Sequence, residues 1–234
     1  MEFFNDIIKE YPYKTELHCH TSPVSRCSQI TPEHMIATYK LEGYSGLALT
    51  NHFLVEETTE ASYQDYVDDY MRGYDALREI GEKEGVKVYL ALEIRFEENH
   101  NDYLVYGIDE DFIRHAVSPK MKTLKDFMST AKRDENLIVQ AHPFRSGMVL
   151  MPPELLDGYE VYNVHPGHNA RIGFAAKYGE EVGGVFTCGT DYHHHGQDTL
   201  SALLTRAVPE DSFDLARYIK SEPIYKVGCS IVTF

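Results

Sequence analysis

Seven side chains of the kinds that bind cations stand directly behind apolar runs in this chain. They are His18 and His20 in LHCHT, His52 in LALTNH, Glu93 in VYLALE, His142 in LIVQAH, and Asp191 with His193 in VFTCGTDYH. Imidazoles and carboxylates are ligands for borderline divalent ions. His18 and His20 are two apart on an extended run, so both rings leave the same face. Asp191 and His193 repeat that spacing. Glu93 closes the run 88–92, which is almost all apolar, and a carboxylate there must be paired, metal-bound or pKa-shifted to offset its burial. Arg95 shares its strand parity and offers either an ion pair or an orienting contact. No one motif is specific alone: an HxH pair or the run His193-His194-His195 also suits a solvated surface. The set as a whole points to a metal-dependent hydrolase.

The elements that must position these residues alternate between strand-like and helix-like, the pattern of a parallel α/β fold. Strands are expected at 13–18, 45–50, 86–94, 103–107, 137–141, 159–163 and 184–188, with 201–208 pairing at an edge. Helices are expected at 31–42, through most of 56–84, and at 123–133, 170–178 and 212–220. Thr31-Pro32-Glu33 has the form of a helix start, Gly43 of a stop, and Thr123-x-x-Asp126 of a capping box. Seven parallel strands would place the candidate ligands at their C-terminal ends, where alternating barrels collect functional groups. No linker, repeat or low-complexity tract divides the chain, so residues 1–234 read as a single domain.

A formal net charge of −15 argues against broad contact with nucleic acid. Bound cations would still invert the local field and permit phosphate chemistry. There is no apolar run that spans a bilayer and no signal-peptide layout, which makes a cytoplasmic location the expectation. Cys19, Cys27, Cys188 and Cys229 form no CxxC pair, so neither a disulfide framework nor a zinc knuckle is indicated. Cys19 should point away from His18 and His20 and be buried.

In combination, HCHTS, LTNH, LALE, QAHPF and GTDYH resemble the PHP family, the polymerase-and-histidinol-phosphatase group of metal-dependent phosphoesterases. The resemblance spans about residues 16–208. It implies a distorted (β/α)7 TIM-like barrel with two or three divalent ions (Zn, Mn or Fe) at the strand C-termini. It also implies that His18, His20, Glu93 and Asp191 hold one metal, and that Glu93 bridges to a second held by His142. His52 and His193 would form a third site or complete the second. Three positions depart from the family pattern. Asn51 stands where Asp is usual, exchanging a carboxylate behind His52 for an amide. The ligand position about six residues after the HxH falls at Arg26, which binds no cation but matches a substrate phosphate. The His after the fourth strand is replaced near Asp109, with Asp109 or His100 as substitutes.

The implied reaction is hydrolysis of a small phosphorylated substrate by water activated at the metal centre. Glu93 is catalytic as the bridge, and Arg145 in HPFR is the first choice of phosphate clamp. His193, His168 or His194 would protonate the leaving oxygen, and Asn163 and His165 would line the pocket. Two competing readings are an amidohydrolase-type C–N hydrolase and a non-catalytic metal-binding regulatory module. Against the first, no lysine ends a strand, and Glu93 occupies the comparable place.

Overall fold

Local signals start and stop the elements much as chemistry dictates. Thr31 accepts a hydrogen bond from His34 N at 3.3 Å, with Pro32 in the first turn, and the Thr123–Asp126 capping box is fully formed. In the computed structural model, residues 2–221 and 223–233 are described. Among them the helices are α1 Glu2–Glu10, α2 Pro32–Leu41, α3 Tyr63–Glu84, α4 Leu124–Thr130, α5 Ile172–Val182 and α6 Ser212–Lys220. The strands up to the middle of the chain are β1 Tyr13–Cys19, β2 Gly46–Leu49, β3 His52–Leu54, β4 Lys87–Leu90, β5 Leu92–Arg95 and β6 Asp102–Tyr106. Then follow β7 Leu137–Gln140, β8 Gly158–Asn163, β9 Val185–Gly189, β10 Ser201–Thr205, β11 Ile224–Val227 and β12 Ser230–Thr233.

The strands form two six-stranded sheets, ordered β12-β11-β10-β1-β2-β4 and β3-β5-β6-β7-β8-β9. The first passes into the second along two stretches of chain, since only Thr50 and Asn51 separate β2 from β3 and only Ala91 separates β4 from β5. At the other side, Cys19 of β1 bridges Tyr192, just past β9, in parallel sense. Leu17, Ala48, Tyr89, Leu104, Val139 and Cys188, one each from β1, β2, β4, β6, β7 and β9, meet in one buried cluster between the sheets. Each leucine or valine among them contributes about 1.5–3 kcal/mol by leaving water, so this shared core holds the strand ends in a fixed relation.

The expectation of seven parallel strands is corrected. β6 runs antiparallel to both β5 and β7, and β10 is antiparallel to β1. The physical reason is the link 96–101, shorter than the dozen or so residues that a parallel crossover needs. The stretch read as one strand at 86–94 is two. Helix α1 and strands β11 and β12 were not anticipated. Among the described residues no helix is long and apolar enough to cross a membrane.

Candidate metal centre

Glu93 lies at the middle of the site. It is fully buried on β5, and four imidazoles reach its carboxylate. His18 Nε2 and His142 Nε2 are each 3.3 Å from Oε1, while His52 Nδ1 and His20 Nε2 are 2.7 and 3.4 Å from Oε2. Asp191 faces it, with Oδ1 at 3.4 Å from both His18 Nε2 and His20 Nε2 and 3.3 Å from His193 Nδ1. The seven residues named from the sequence therefore converge, brought by β1, β3, β5 and the chain just beyond β7 and β9. His142 and Asp191 do so with φ of 31° and 53°, in the left-handed region that non-glycine residues seldom occupy. Such conformations cost about 1–3 kcal/mol each and persist where the surroundings over-determine them.

Whether the donors suit a cation is tested by their unused atoms. Nε2 of His18 and His20, Nδ1 of His52 and Oε2 of Glu93 are buried and make no hydrogen bond, although oxygens and nitrogens face one another at under 3.5 Å. Buried polar atoms are ordinarily hydrogen-bonded. Lone pairs converging without hydrogen atoms between them are what a cation requires. Three donor groups have the needed spacing: His18 with His20 and Asp191, His20 with His52 and His193, and His52 with Glu93 and Asp102. Electrostatics agree. Burial lowers the pKa of His20, and His193 and His52 push it further below the imidazole range, which keeps its ligating form. Burial opposes ionisation of Glu93, but His52 and His18 hold it well below the carboxylate range.

Residues that sequence reasoning missed hold this arrangement in place. Glu160, fully buried on β8, sits 2.8 Å from His18 Nδ1 through Oε1 and accepts from His142 N (2.9 Å) and Asn163 Nδ2 (3.0 Å) through Oε2. That bond leaves Nε2 of His18 as its ligand atom. The available signal was a lone acid inside the apolar run GYEVY. Glu16, also buried, accepts from His18 N, Thr190 N and Thr190 Oγ1 at 2.9–3.0 Å and so ties β1 to the segment carrying Asp191. Burial raises its pKa to about 7 against those hydrogen bonds. Asp102 opens β6 and accepts two bonds from Arg95 at 2.8 and 2.9 Å, while His142 Nε2 stands 3.8 Å away. Arg95 is thus paired with Asp102 rather than Glu93.

The remaining named residues scatter. Arg145 is half-buried beside the centre, Nη2 at 3.5 Å from Asp102 Oδ2. Arg26 is exposed. Its neighbour Cys27 is exposed as well; burial raises the thiol pKa, and the nearby His193 and His52 bring it down to about 6. His100 is exposed, and Asp109 caps Phe112 N at 2.8 Å past the opposite end of β6, so neither replaces the missing histidine. Asn51 binds Thr21 N (2.7 Å) and Ser25 Oγ (2.9 Å) and shapes the loop instead of polarising the His52 ring. Asn163 Oδ1 meets His168 Nε2 at 3.2 Å, and His165 stacks on His168 with centroids 4.2 Å apart. Burial takes His168 down to about 4 despite Asp191. His194 is half-buried, and His195 is exposed and paired with His34. Cys19 turns into the core, its Sγ at 3.3 Å from Ala48 O.

No family model and no curated sequence matches this chain. Solved structures do. A two-domain protein from Bacteroides vulgatus, containing a predicted PHP-like metal-dependent phosphoesterase, superposes with a TM-score of 0.65 at 17% identity over 94% of this chain. This chain spans 66% of that protein's length. PsfC from Pseudomonas syringae superposes with a TM-score of 0.69 at 15% identity, covering 93% of this chain and 92% of its own. The likeness is one of fold: the chain shares the α/β architecture of these two structures.

Proposed function

We propose that the protein is a metal-dependent phosphoesterase of the PHP type, acting on a small phosphorylated substrate, with its two sheets closing as a distorted seven-stranded barrel. One observation carries this reading: a single buried carboxylate, Glu93, lies within 3.4 Å of nitrogens from four histidines. His18, His20, Asp191 and Glu93 would hold one divalent ion, and Glu93 with His142 and Asp102 a second. Bound there, such ions supply Lewis acidity toward a phosphoryl oxygen and lower the pKa of water.

The chain's own residues do the rest. Glu93 lies between the two donor sets and fixes their separation. Glu160 and Glu16 set the tautomer and position of His18. Arg145, beside Asp102, presents a guanidinium that fits two oxygens of a phosphate. The His193 Nδ1 is 2.8 Å from Asp191 O, which leaves Nε2 for a cation and favours ligation over protonation of the leaving oxygen. The charge of −15 favours a small substrate over a nucleic-acid chain.

The test is turnover of a panel of small phosphomonoesters by protein loaded with Mn²⁺ or Zn²⁺, run beside amides and lactones. Phosphate release that a chelator abolishes and Glu93→Gln removes is expected. Undiminished turnover in Glu93→Gln, or hydrolysis of amides alone, overturns the reading. Full metal loading with no ester cleaved would instead identify a binding module.

A further inference from the structure

The donor groups take up one end of the strands, and the other end carries a cavity of about 830 Å³. Tyr13, Ser45 and Lys87 line it where β1, β2 and β4 begin, so it opens on the side away from Glu93. Its origin is a split between the two sheets. β4 ends its sheet, and a hydroxyl bridges it to the end of β6: Ser212 Oγ accepts from Gly107 N and Ile108 N at 3.1 and 3.2 Å and donates to Leu90 O at 2.7 Å. Beyond that link no strand stands beside β4 among the described residues, and the space between α3 and residues 208–213 stays open. Residues 85–90 border it throughout.

The walls select the kind of ligand. Met71, Val88, Leu90 and Ile108 give an apolar surface, and the rings of Tyr13, Tyr74 and Phe213 border the space without being buried. Six carboxylates line it against two cations, Arg78 and Lys87. Arg78 is already taken by Asp75 and Glu82 at 3.1 and 2.8 Å, and Glu110 is paired with Arg114 at 2.6 Å. Asp109 and Asp211 accept the backbone N–H groups of Phe112 and Asp214 at 2.8 Å each, and Glu210 is exposed; none of these three meets a cation among the described residues. An anionic ligand would be repelled there. A metal ion is no better served, because these acids are not among the described donor groups close enough to share one. What fits is an ammonium set against the carboxylates, with its carbon body on the apolar wall and its charge over the rings.

We propose that this cavity binds a small organic cation, an amine on an aromatic or aliphatic body, at the end of the strands opposite the metal centre. The inference stands apart from the phosphoesterase reading and does not need it.

The experiment titrates the whole zinc-loaded chain with three probes that share one body and differ in charge: phenethylamine, phenethyl alcohol and phenylpropionate. Amide chemical shifts locate each probe and give its affinity. Phenethylamine is expected to move the amides of residues 85–90 and 208–213 and to bind about tenfold or more tighter than the alcohol, because a hydrogen bond to a charged group exceeds a neutral one. Phenylpropionate should bind weakest. Glu210→Lys, a change at an exposed position, should weaken the amine severalfold and leave the alcohol unmoved. Added salt should weaken the amine alone. Equal affinities for the three probes, tighter binding of phenylpropionate, or shifts confined to the histidine loops overturn the proposal. So does a cavity that ignores all three probes and takes up a lysine-rich peptide instead, which would make it a protein-docking groove. None of these results touches the Glu93 centre, whose own test is ester turnover.

Discussion

Replacing Glu160 by Gln removes a charge while keeping the shape, and donor counting says why this should disable a residue it never replaces. Three donors converge on the carboxylate: the His18 Nδ1–H, His142 N–H and the Asn163 amide, at 2.8, 2.9 and 3.0 Å. Two carboxylate oxygens accept all three. Glutamine offers one oxygen and two hydrogens. If its NH2 faces His142 N and Asn163, two donor–donor contacts arise, each stranding a buried donor at about 1–3 kcal/mol. The cheaper arrangement turns the NH2 toward His18. Nδ1 must then accept, and the His18 proton moves to Nε2, the atom beside Glu93 and Asp191. A ligand becomes a donor. Loss of such a supporting partner weakens metal binding about 10–100-fold, or about 1.4–2.8 kcal/mol. Competition titration against a chromophoric chelator reads the affinity, and nitrogen NMR of labelled imidazole reads the His18 tautomer. Wild-type affinity in Glu160→Gln, or an unmoved tautomer, refutes the reasoning.

Three further outcomes follow from the same geometry. Gly189→Ala would bring a Cβ to 2.3 Å from His18 Cβ and 2.6 Å from Glu160 Oε1, so overpacking of about 1–3 kcal/mol is expected together with weaker metal binding; an unchanged melting temperature and affinity would contradict it. Removing metal from protein held at a hundred times its dissociation constant should cost about 2.7 kcal/mol, a fall in Tm of roughly 5–11 °C for a chain of this size, and a chelator without thermal effect would show that the donors bind nothing. Arg145→Ala should raise KM for a phosphate ester about tenfold or more, since hydrogen bonds to a charged group contribute about 1.5–3 kcal/mol, with kcat changed far less; equal KM values would remove Arg145 from substrate binding.

Much of the site was legible because acids and imidazoles after apolar strands carry their own explanation. Arg95 is the one cation close to Glu93 in sequence, and with that residue paired to Asp102 the chain must bring distant partners to the buried carboxylate. Supporting residues give weaker signals. Glu160 follows Tyr159 and precedes Val161, where one acid in a strand reads equally well as facing solvent. Only the packing of Tyr159 and Val161 against Ala175 of α5 on one face of β8 turns the other face, and Glu160 with it, inward. The loop that carries Ser25 gives little signal for a similar reason: it shows no periodicity, and the hydrogen bonds that fold it run to His20, His52 and His193, two of them far along the chain.

The direction of β6 explains the one misplaced ligand position. Read as parallel, that strand would deliver its C-terminal end to the mouth, which is why Asp109 was a candidate. Antiparallel pairing with β5 and β7 reverses it, so the first residue of the strand arrives instead. Register sets Asp102 opposite Arg95, and Glu93 lies two residues earlier on the same face. The cluster thereby gains a carboxylate where the family pattern leads one to look for an imidazole. An oxygen donor there makes the Glu93–His142 side of the centre harder, and Arg95 on one side with Arg145 on the other offsets the negative charge it adds.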